Sequence, residues 1–385
     1  MKINQLSYYD HQREWCFEPI QFSDLNLLVG ASGVGKTQIL ESIINLQKIA
    51  NGKSFNGVSW NIEFTVDTNL YNWHGEFETG KLVNLILDNQ NEKNQFKIIN
   101  EFLSVNGKTI IQRNAQEINF RDQILPKLSS FQSVVAILSE EEDIAPIKYG
   151  FSQIKENSED YGSNSMIFLS FFANKKIFDH YSLLRDKYSS LTLEDIQKSN
   201  LLNQIKLGLA YEYFPEIFDK IKKHFMEIFV QVEDIKLEQD EELFKFLNSK
   251  NYPLVKIKEK DVNNWINQIQ ISSGMYKTLM YISELYLSAE ETVILIDEFE
   301  NSLGVNCIDI VTELLLENKK LQFIITSHHP YIINNIGMEH WKIVTRRGGI
   351  VKARDAKEFN LGKSRHQAFM QLINLDAYKE GIAVG

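Results

Sequence analysis

The sequence predicts an α/β fold, a mixed sheet with an antiparallel portion interrupted by a helical insertion, and three observations carry that prediction. An apolar run at residues 25–29 stops at Gly30 and gives way to helical spacing through Ile39, Leu40, Ile43, Ile44, Leu46 and Ile49. From Ser272 onward helix and strand alternate, the pattern of a parallel sheet with helices on its faces. Between these ends, residues 131–229 read as helix, with few glycines or prolines.

In chain order, residues 2–9 and 15–20 read as strands ahead of the buried-type run 25–29, and residues 38–50 as the first helix. Residues 58–78 alternate apolar and polar through Trp60, Ile62, Phe64 and Val66, as half-exposed antiparallel strands do. Residues 102–105 and 108–113 flank Asn106-Gly107, a pair that tolerates positive φ at both positions and so favours a two-residue hairpin. Phe and Ile recur at three- and four-residue spacings in 166–178 and 213–229, without a sustained heptad or internal repeat. Strand-like segments return at 232–237 and 252–257. A helix to Leu287, a strand at 292–296, a helix at 303–316 and a strand at 322–326 follow. The expected organisation is an N-terminal lobe (1–130), a helical insertion (131–250) and a C-terminal lobe (251–385).

Composition narrows the class further. With 385 residues, 43% hydrophobic and 24% charged, the chain is long enough for two or three structural units and is not a disordered or low-complexity one. Six prolines are few for a loop-rich all-β protein. The net charge of -10 excludes a uniformly basic nucleic-acid coat but leaves room for a local basic patch. No apolar run reaches the length of a membrane span, and the first residues lack the pattern of a secretion signal. Two cysteines, Cys16 and Cys307, cannot build a disulfide framework, so a cytoplasmic location is expected.

The motif that decides the class is Gly30-Ala31-Ser32-Gly33-Val34-Gly35-Lys36-Thr37, a G-x-x-x-x-G-K-[ST] run between an apolar strand and an amphipathic helix. Glycines let such a loop wrap so that backbone N–H groups face a phosphate, and the helix start adds its positive end. Lys36 would reach the β- and γ-phosphates and Thr37 would bind Mg²⁺. Far downstream, a buried-type strand ends in Asp297-Glu298, at the strand end where open α/β sheets bind ligands. Asp297 would hold Mg²⁺ through water, and Glu298 would polarise an attacking water. Ser272-Ser273-Gly274 opens a helix and reads either as an anion site or as a plain serine cap. His328 ends a further apolar strand, one crossover after Glu298, and would contact the γ-phosphate.

These segments, in this order, resemble the ABC-type ATPase head of the P-loop NTPases. Gly30 to Thr37 match the Walker A loop, residues 271–275 the signature motif, Val293 to Glu298 the Walker B strand and His328 the switch histidine. Residues 300–304 resemble the D-loop. Ser273 and Met275 depart from L-S-G-G-Q, whereas Ser272 and Gly274 are kept. Gln132 is the candidate for the Q-loop glutamine, with a surface glutamine as the alternative. The interval between Lys36 and Ser272, 236 positions, is too long for a transporter subunit and too short for the coiled coils of a complete SMC protein. The chain therefore resembles the compact SMC/RecF/OLD-like AAA branch, including ATPases of Septu-like and retron-associated anti-phage systems.

That resemblance implies ATP and Mg²⁺ as cofactors and a head-to-tail homodimer, or a higher even oligomer. In it, Ser272, Ser273 and Gly274 of one copy face the ATP of the other. No nuclease module follows His328, so the resemblance implies a separate effector, a nuclease or a toxin, gated by the nucleotide state. The alternatives are a RecF-like DNA clamp and an ATP-binding scaffold without turnover. The clamp draws on eight Lys and Arg residues between 342 and 365, against Asp355 and Glu358.

Overall fold

The computed structural model describes residues 1–80, 95–126, 128–156, 191–238, 253–301, 303–362 and 364–382. The expected helical spacing of 166–178 lies outside the described residues. The chain forms two compact units. The first comprises Met1–Ser158, Glu291–Phe299 and Lys319–Gly385, and the second Glu159–Glu290 and Glu300–Asn318.

The strands, in chain order, are β1 (Lys2–Asp10), β2 (Trp15–Gln21), β3 (Leu25–Val29), β4 (Val58–Val66), β5 (Asn69–Phe77), β6 (Ile98–Val105), β7 (Lys108–Arg113), β8 (Ile118–Phe120), β9 (Gln123–Ile124) and β10 (Ile154–Glu156). Then come β11 (Val232–Glu238), β12 (Leu254–Glu259), β13 (Trp265–Asn267), β14 (Val293–Ile296), β15 (Gln322–Thr326), β16 (Trp341–Arg347) and β17 (Ile350–Asp355). The first unit is built on one mixed sheet in the order β10-β14-β15-β3-β16-β17-β2-β1-β4-β5-β6-β7-β8-β9. From β10 to β16 the pairing is parallel, and from β1 through β9 it is antiparallel. β3, β14 and β15 are buried along their whole length, which is why they read as mainly apolar runs. Buried Gln322 locks the junction of the two halves. Its side chain accepts from the N–H of Ile3 and donates to the carbonyls of Ile3 and Ser23, at 2.8–3.0 Å.

The antiparallel half alternates as its sequence requires. Trp60, Ile62, Phe64, Tyr71, Trp73 and Phe77 point into one core, where Trp60 and Trp73 meet edge-on at 5.2 Å. The turn Asn106-Gly107 has φ of 50° and 78°, as a tight hairpin demands.

Residues 131–156 fold differently from the expected insertion. Helix Val134–Ile137, helix Ala145–Ser152 and strand β10 all belong to the first unit. Phe151 packs on Phe64 and Trp73, and β10 extends the sheet beside β14. The helix α1 (Lys36–Ala50) draws these segments in. Gln47 donates to the carbonyls of Phe151 and Ile154, while Ser133 and Lys148 satisfy the carbonyls of Ile49 and Ala50 at its C-terminal end. The first unit therefore runs to Ser158 rather than ending at 130.

In the second unit, helices Asn203–Tyr213, Pro215–Ile228 and Ser273–Leu287 pack together with the small antiparallel sheet β11-β12-β13. Helix Pro215–Ile228 buries Phe218, Ile221, Phe225 and Ile228, one stripe at three- and four-residue spacing. The helix after Ser272 thus belongs with this unit, not with a C-terminal lobe starting at 251. Among the described residues, no helix is long and apolar enough to cross a membrane.

Candidate functional site

Three parallel strands of the first unit deliver the site at their C-terminal ends. β3 leads into the glycine loop and α1, β14 ends at Asp297 and Glu298, and β15, lying between them, ends at Thr326. His328 follows two residues later, half-buried. The sequence-predicted Gly30 to Thr37, Asp297, Glu298 and His328 are thus carried by adjacent strands, at the edge where open α/β sheets bind ligands.

The loop geometry explains its glycines. A side chain at Gly30 would sit 2.4 Å from the Val344 carbonyl, so the neighbouring strand forbids any Cβ. Gly35, the N-cap of α1, has φ 104°, and a Cβ there would meet the Trp15 ring at 2.9 Å. No side chain caps the start of α1, so its first N–H groups face the loop. Lys36 is buried, its ammonium donating to the carbonyls of Gly30 and Ala31 at 2.9 and 2.8 Å. Arg346 braces the outer side: its guanidinium lies 4.0 Å over Trp15 and donates to the Gly33 carbonyl at 3.3 Å.

Thr37 and Asp297, 260 residues apart in sequence, touch. The Thr37 hydroxyl donates to the Asp297 carboxylate, 2.9 Å from Oδ2 and 3.2 Å from Oδ1. This brings together a neutral oxygen and an anionic one, hard ligands of the kind Mg²⁺ takes, beside the loop that would present phosphate. Asp297 Oδ1 also accepts from the hydroxyl of Thr326 at 2.5 Å, and that hydroxyl accepts from the Glu298 N–H at 2.7 Å. Glu298 is exposed and has φ 48°, a left-handed conformation for a residue with a Cβ. Sequence reasoning gives Thr326 no role beyond the polar end of the strand that leads to His328. Its signal is a buried hydroxyl at the end of an otherwise apolar strand between the two motif strands.

Other expectations come out differently. Gln132 is exposed, and its side chain lies against Gly52, just beyond the C-terminal end of α1. Lys36 starts that helix, and 15 residues at 1.5 Å each separate the ends by about 20 Å. Gln132 is therefore not a phosphate-site residue; its carbonyl instead takes Arg113 at 2.7 Å. In the second unit, Ser272 is exposed and caps its helix, accepting from the Met275 N–H at 3.3 Å, with Ser273 exposed beside it and Gly274 next. Within the 300–304 segment, Ser302 lies outside the described residues.

Of the eight basic residues in the 342–365 segment, three are ion-paired among those described. The first part of the segment forms β16 and β17, where Lys342 pairs with Asp355 and Lys352 with Glu18; Lys357, just beyond β17, also pairs with Asp355, while Arg347, Arg354 and Arg365 are exposed. Lys363 lies outside the described residues. Among the described residues, no group of three or more His, Cys, Asp and Glu side chains is placed to hold a metal ion.

Comparison with known proteins agrees with this geometry. Residues 25–334 match the family described as "AAA domain, putative AbiEii toxin, Type IV TA system", and the chain belongs to that family. Among solved structures it is similar to an SmcHead bound to the C-winged helix domain of ScpA, with TM-score 0.52 and 14% identity over 92% of this chain and 97% of that one. An SMC head domain from Thermotoga maritima matches with TM-score 0.41 and 12% identity, over 92% of this chain and 99% of that one. The chain shares the mixed α/β fold of the SmcHead. No curated protein matches the chain.

Proposed function

We propose that this AAA-family chain binds and hydrolyses ATP, and that two copies close head to tail around the nucleotide to gate a separate effector. The observation that carries the reading is the contact between Thr37 and Asp297. It sets a hydroxyl and a carboxylate at the foot of a glycine loop whose strand, helix and lysine are all in place.

The residues divide the work as follows. The loop N–H groups from Gly30 to Gly35 and the start of α1 cradle the β-phosphate. Lys36 swings from the Gly30 and Ala31 carbonyls to the phosphate oxygens, trading neutral acceptors for charged ones. Thr37 and Asp297 would hold Mg²⁺, which supplies charge neutralisation at the phosphate oxygens. Glu298, exposed beside Asp297, orients and deprotonates the attacking water, and His328 contacts the γ-phosphate. Ser272, Ser273 and Gly274 of the second copy complete the site, so ATP joins the two copies and loss of the γ-phosphate loosens them. The switching energy is bounded by how much more tightly the closed state binds ATP.

The role that fits is a Septu-like or retron-associated anti-phage ATPase in the cytoplasm, with the catalytic effector, a nuclease or a toxin, on a partner. The toxin–antitoxin system named in the family description supports a defence role. A RecF-like clamp is the alternative, favoured by the exposed Arg347, Arg354 and Arg365 and opposed by the ion pairing of Lys342, Lys352 and Lys357; no DNA affinity at low salt would remove it. The decisive experiment is steady-state phosphate release from the intact chain and from Glu298→Gln. Turnover is expected to fall at least a hundredfold, with ATP still bound. Equal rates would overturn the assignment.

A further inference from the structure

The Walker B acids do not hold themselves in place. Asp297 and Glu298 follow directly on a buried strand, and Glu298 adopts a left-handed backbone that any side chain with a Cβ disfavours. Three hydrogen bonds tie this turn to one residue of the neighbouring strand. The Thr326 hydroxyl donates to Asp297 Oδ1 and accepts from the Glu298 N–H, and the Thr326 carbonyl accepts from the Phe299 N–H at 3.0 Å. Thr326 is 1% exposed, and Phe299 is fully buried behind the turn.

We infer that Thr326 is the positioning residue of this site: its single hydroxyl fixes both acids at once, rather than merely filling the end of β15. The division of the Asp297 carboxylate supports this. Oδ1 is held by Thr326, which turns Oδ2 toward the Thr37 hydroxyl. The two oxygens that would take a divalent cation are thus set before any cation arrives. The same hydroxyl pins the N–H of Glu298 and so fixes where that carboxylate starts from. His328 lies two residues along the same segment, so a contact made by the histidine shares its backbone with the residue that holds the acids. The Oγ1 of Thr326 is both donor and acceptor here, a pairing that serine can reproduce and valine, of nearly the same shape, cannot.

The inference deepens the ATPase reading and rests on it, and the test separates the two. The full chain, Thr326→Val and Thr326→Ser are compared in three measurements. These are ATP affinity in EDTA, the Mg²⁺ concentration that half-saturates the gain in ATP affinity, and turnover at saturating Mg²⁺ and ATP. Thr326→Val is expected to keep its EDTA affinity within twofold, because the glycine loop is untouched. Its Mg²⁺ requirement should rise about tenfold and its turnover fall about ten- to hundredfold, the effect of losing a hydrogen bond to a charged group. Thr326→Ser is expected to stay within threefold of the parent in all three. Valine matching serine in both Mg²⁺ requirement and turnover would overturn the inference. If the valine chain does not fold, Thr326→Ala carries the same comparison against serine. A parent chain that binds ATP with Mg²⁺ but releases no phosphate would sink the ATPase reading alone, since the Mg²⁺ shift still decides the role of Thr326. A parent chain that binds no nucleotide would sink both.

Discussion

The two halves of the sheet in the first unit use carboxylates in opposite ways. At the parallel end, Asp297 and Glu298 sit at the C-terminal edge of β14, half-exposed and exposed, within reach of Thr37 and Thr326. In the antiparallel half, Glu101 on β6 is wholly enclosed. It accepts from the Trp73 indole at 2.9 Å and the Val134 N–H at 2.9 Å, and pairs with Arg113 at 3.3 Å. Arg113 in turn donates to the Gln132 and Ser129 carbonyls, at 2.7 Å each. One pair of acids is kept open to a ligand. The other acid is spent on tying the chain after β9 back onto the sheet. Burial, not residue type, separates the proposed functional carboxylates from the structural one.

Burial also sets how Glu101 titrates. Desolvation pushes its carboxyl up to about 7 from an ordinary 4.5, outweighing Arg113 and the two N–H donors. The folded form therefore binds the proton more tightly than the unfolded chain. This contribution to stability is complete below about 4.5 and is lost as pH rises toward 7.

The largest break in the comparison comes at the open end. Lys36→Ala is expected to weaken ATP binding at least a hundredfold by titration calorimetry while leaving the fold of the antiparallel half unchanged by circular dichroism. Next, Glu101→Ala should destabilise the first unit by about 3–5 kcal/mol in urea melts, because it strands a buried guanidinium and two N–H groups. Its ATP affinity, measured below the transition, should match the parent. Milder still, Glu101→Gln should abolish the fall in melting temperature that the parent shows as pH rises from 4.5 to 7. The smallest effect is expected at Gln132→Ala, within about 0.5 kcal/mol in the same melts and with unchanged turnover.

The contrast was unevenly legible in the sequence. The glycine loop, the Asp297-Glu298 strand end and the strand bearing His328 could be read because each combines a buried apolar run with a polar terminus, and the structure sets these segments side by side. The hairpins could be read from alternation and from Asn106-Gly107. Three things could not. A three-residue strand such as β10 is too short to show a period, so the sequence does not reveal that residues 131–156 belong to the first unit. Glu101 sits on a strand where an acid reads as solvent-facing, and its partners lie 12 and 28 residues away. Thr326 is one hydroxyl whose importance depends on a register between β14 and β15 that sequence does not give. Gln132 had the right residue type at a plausible distance along the chain, but α1 carries it to the far end of the helix from the phosphates.

The central claim is that ATP closes two copies of this chain around a composite site. The direct test is the mass of Glu298→Gln in solution by light scattering, with ATP and Mg²⁺, with ADP and Mg²⁺, and without nucleotide. The account predicts twice the monomer mass, or a higher even multiple, in ATP. In ADP and without nucleotide the mass should be half the ATP value, and Ser272→Arg should prevent the ATP-dependent doubling. A mass that is the same in all three conditions would contradict it.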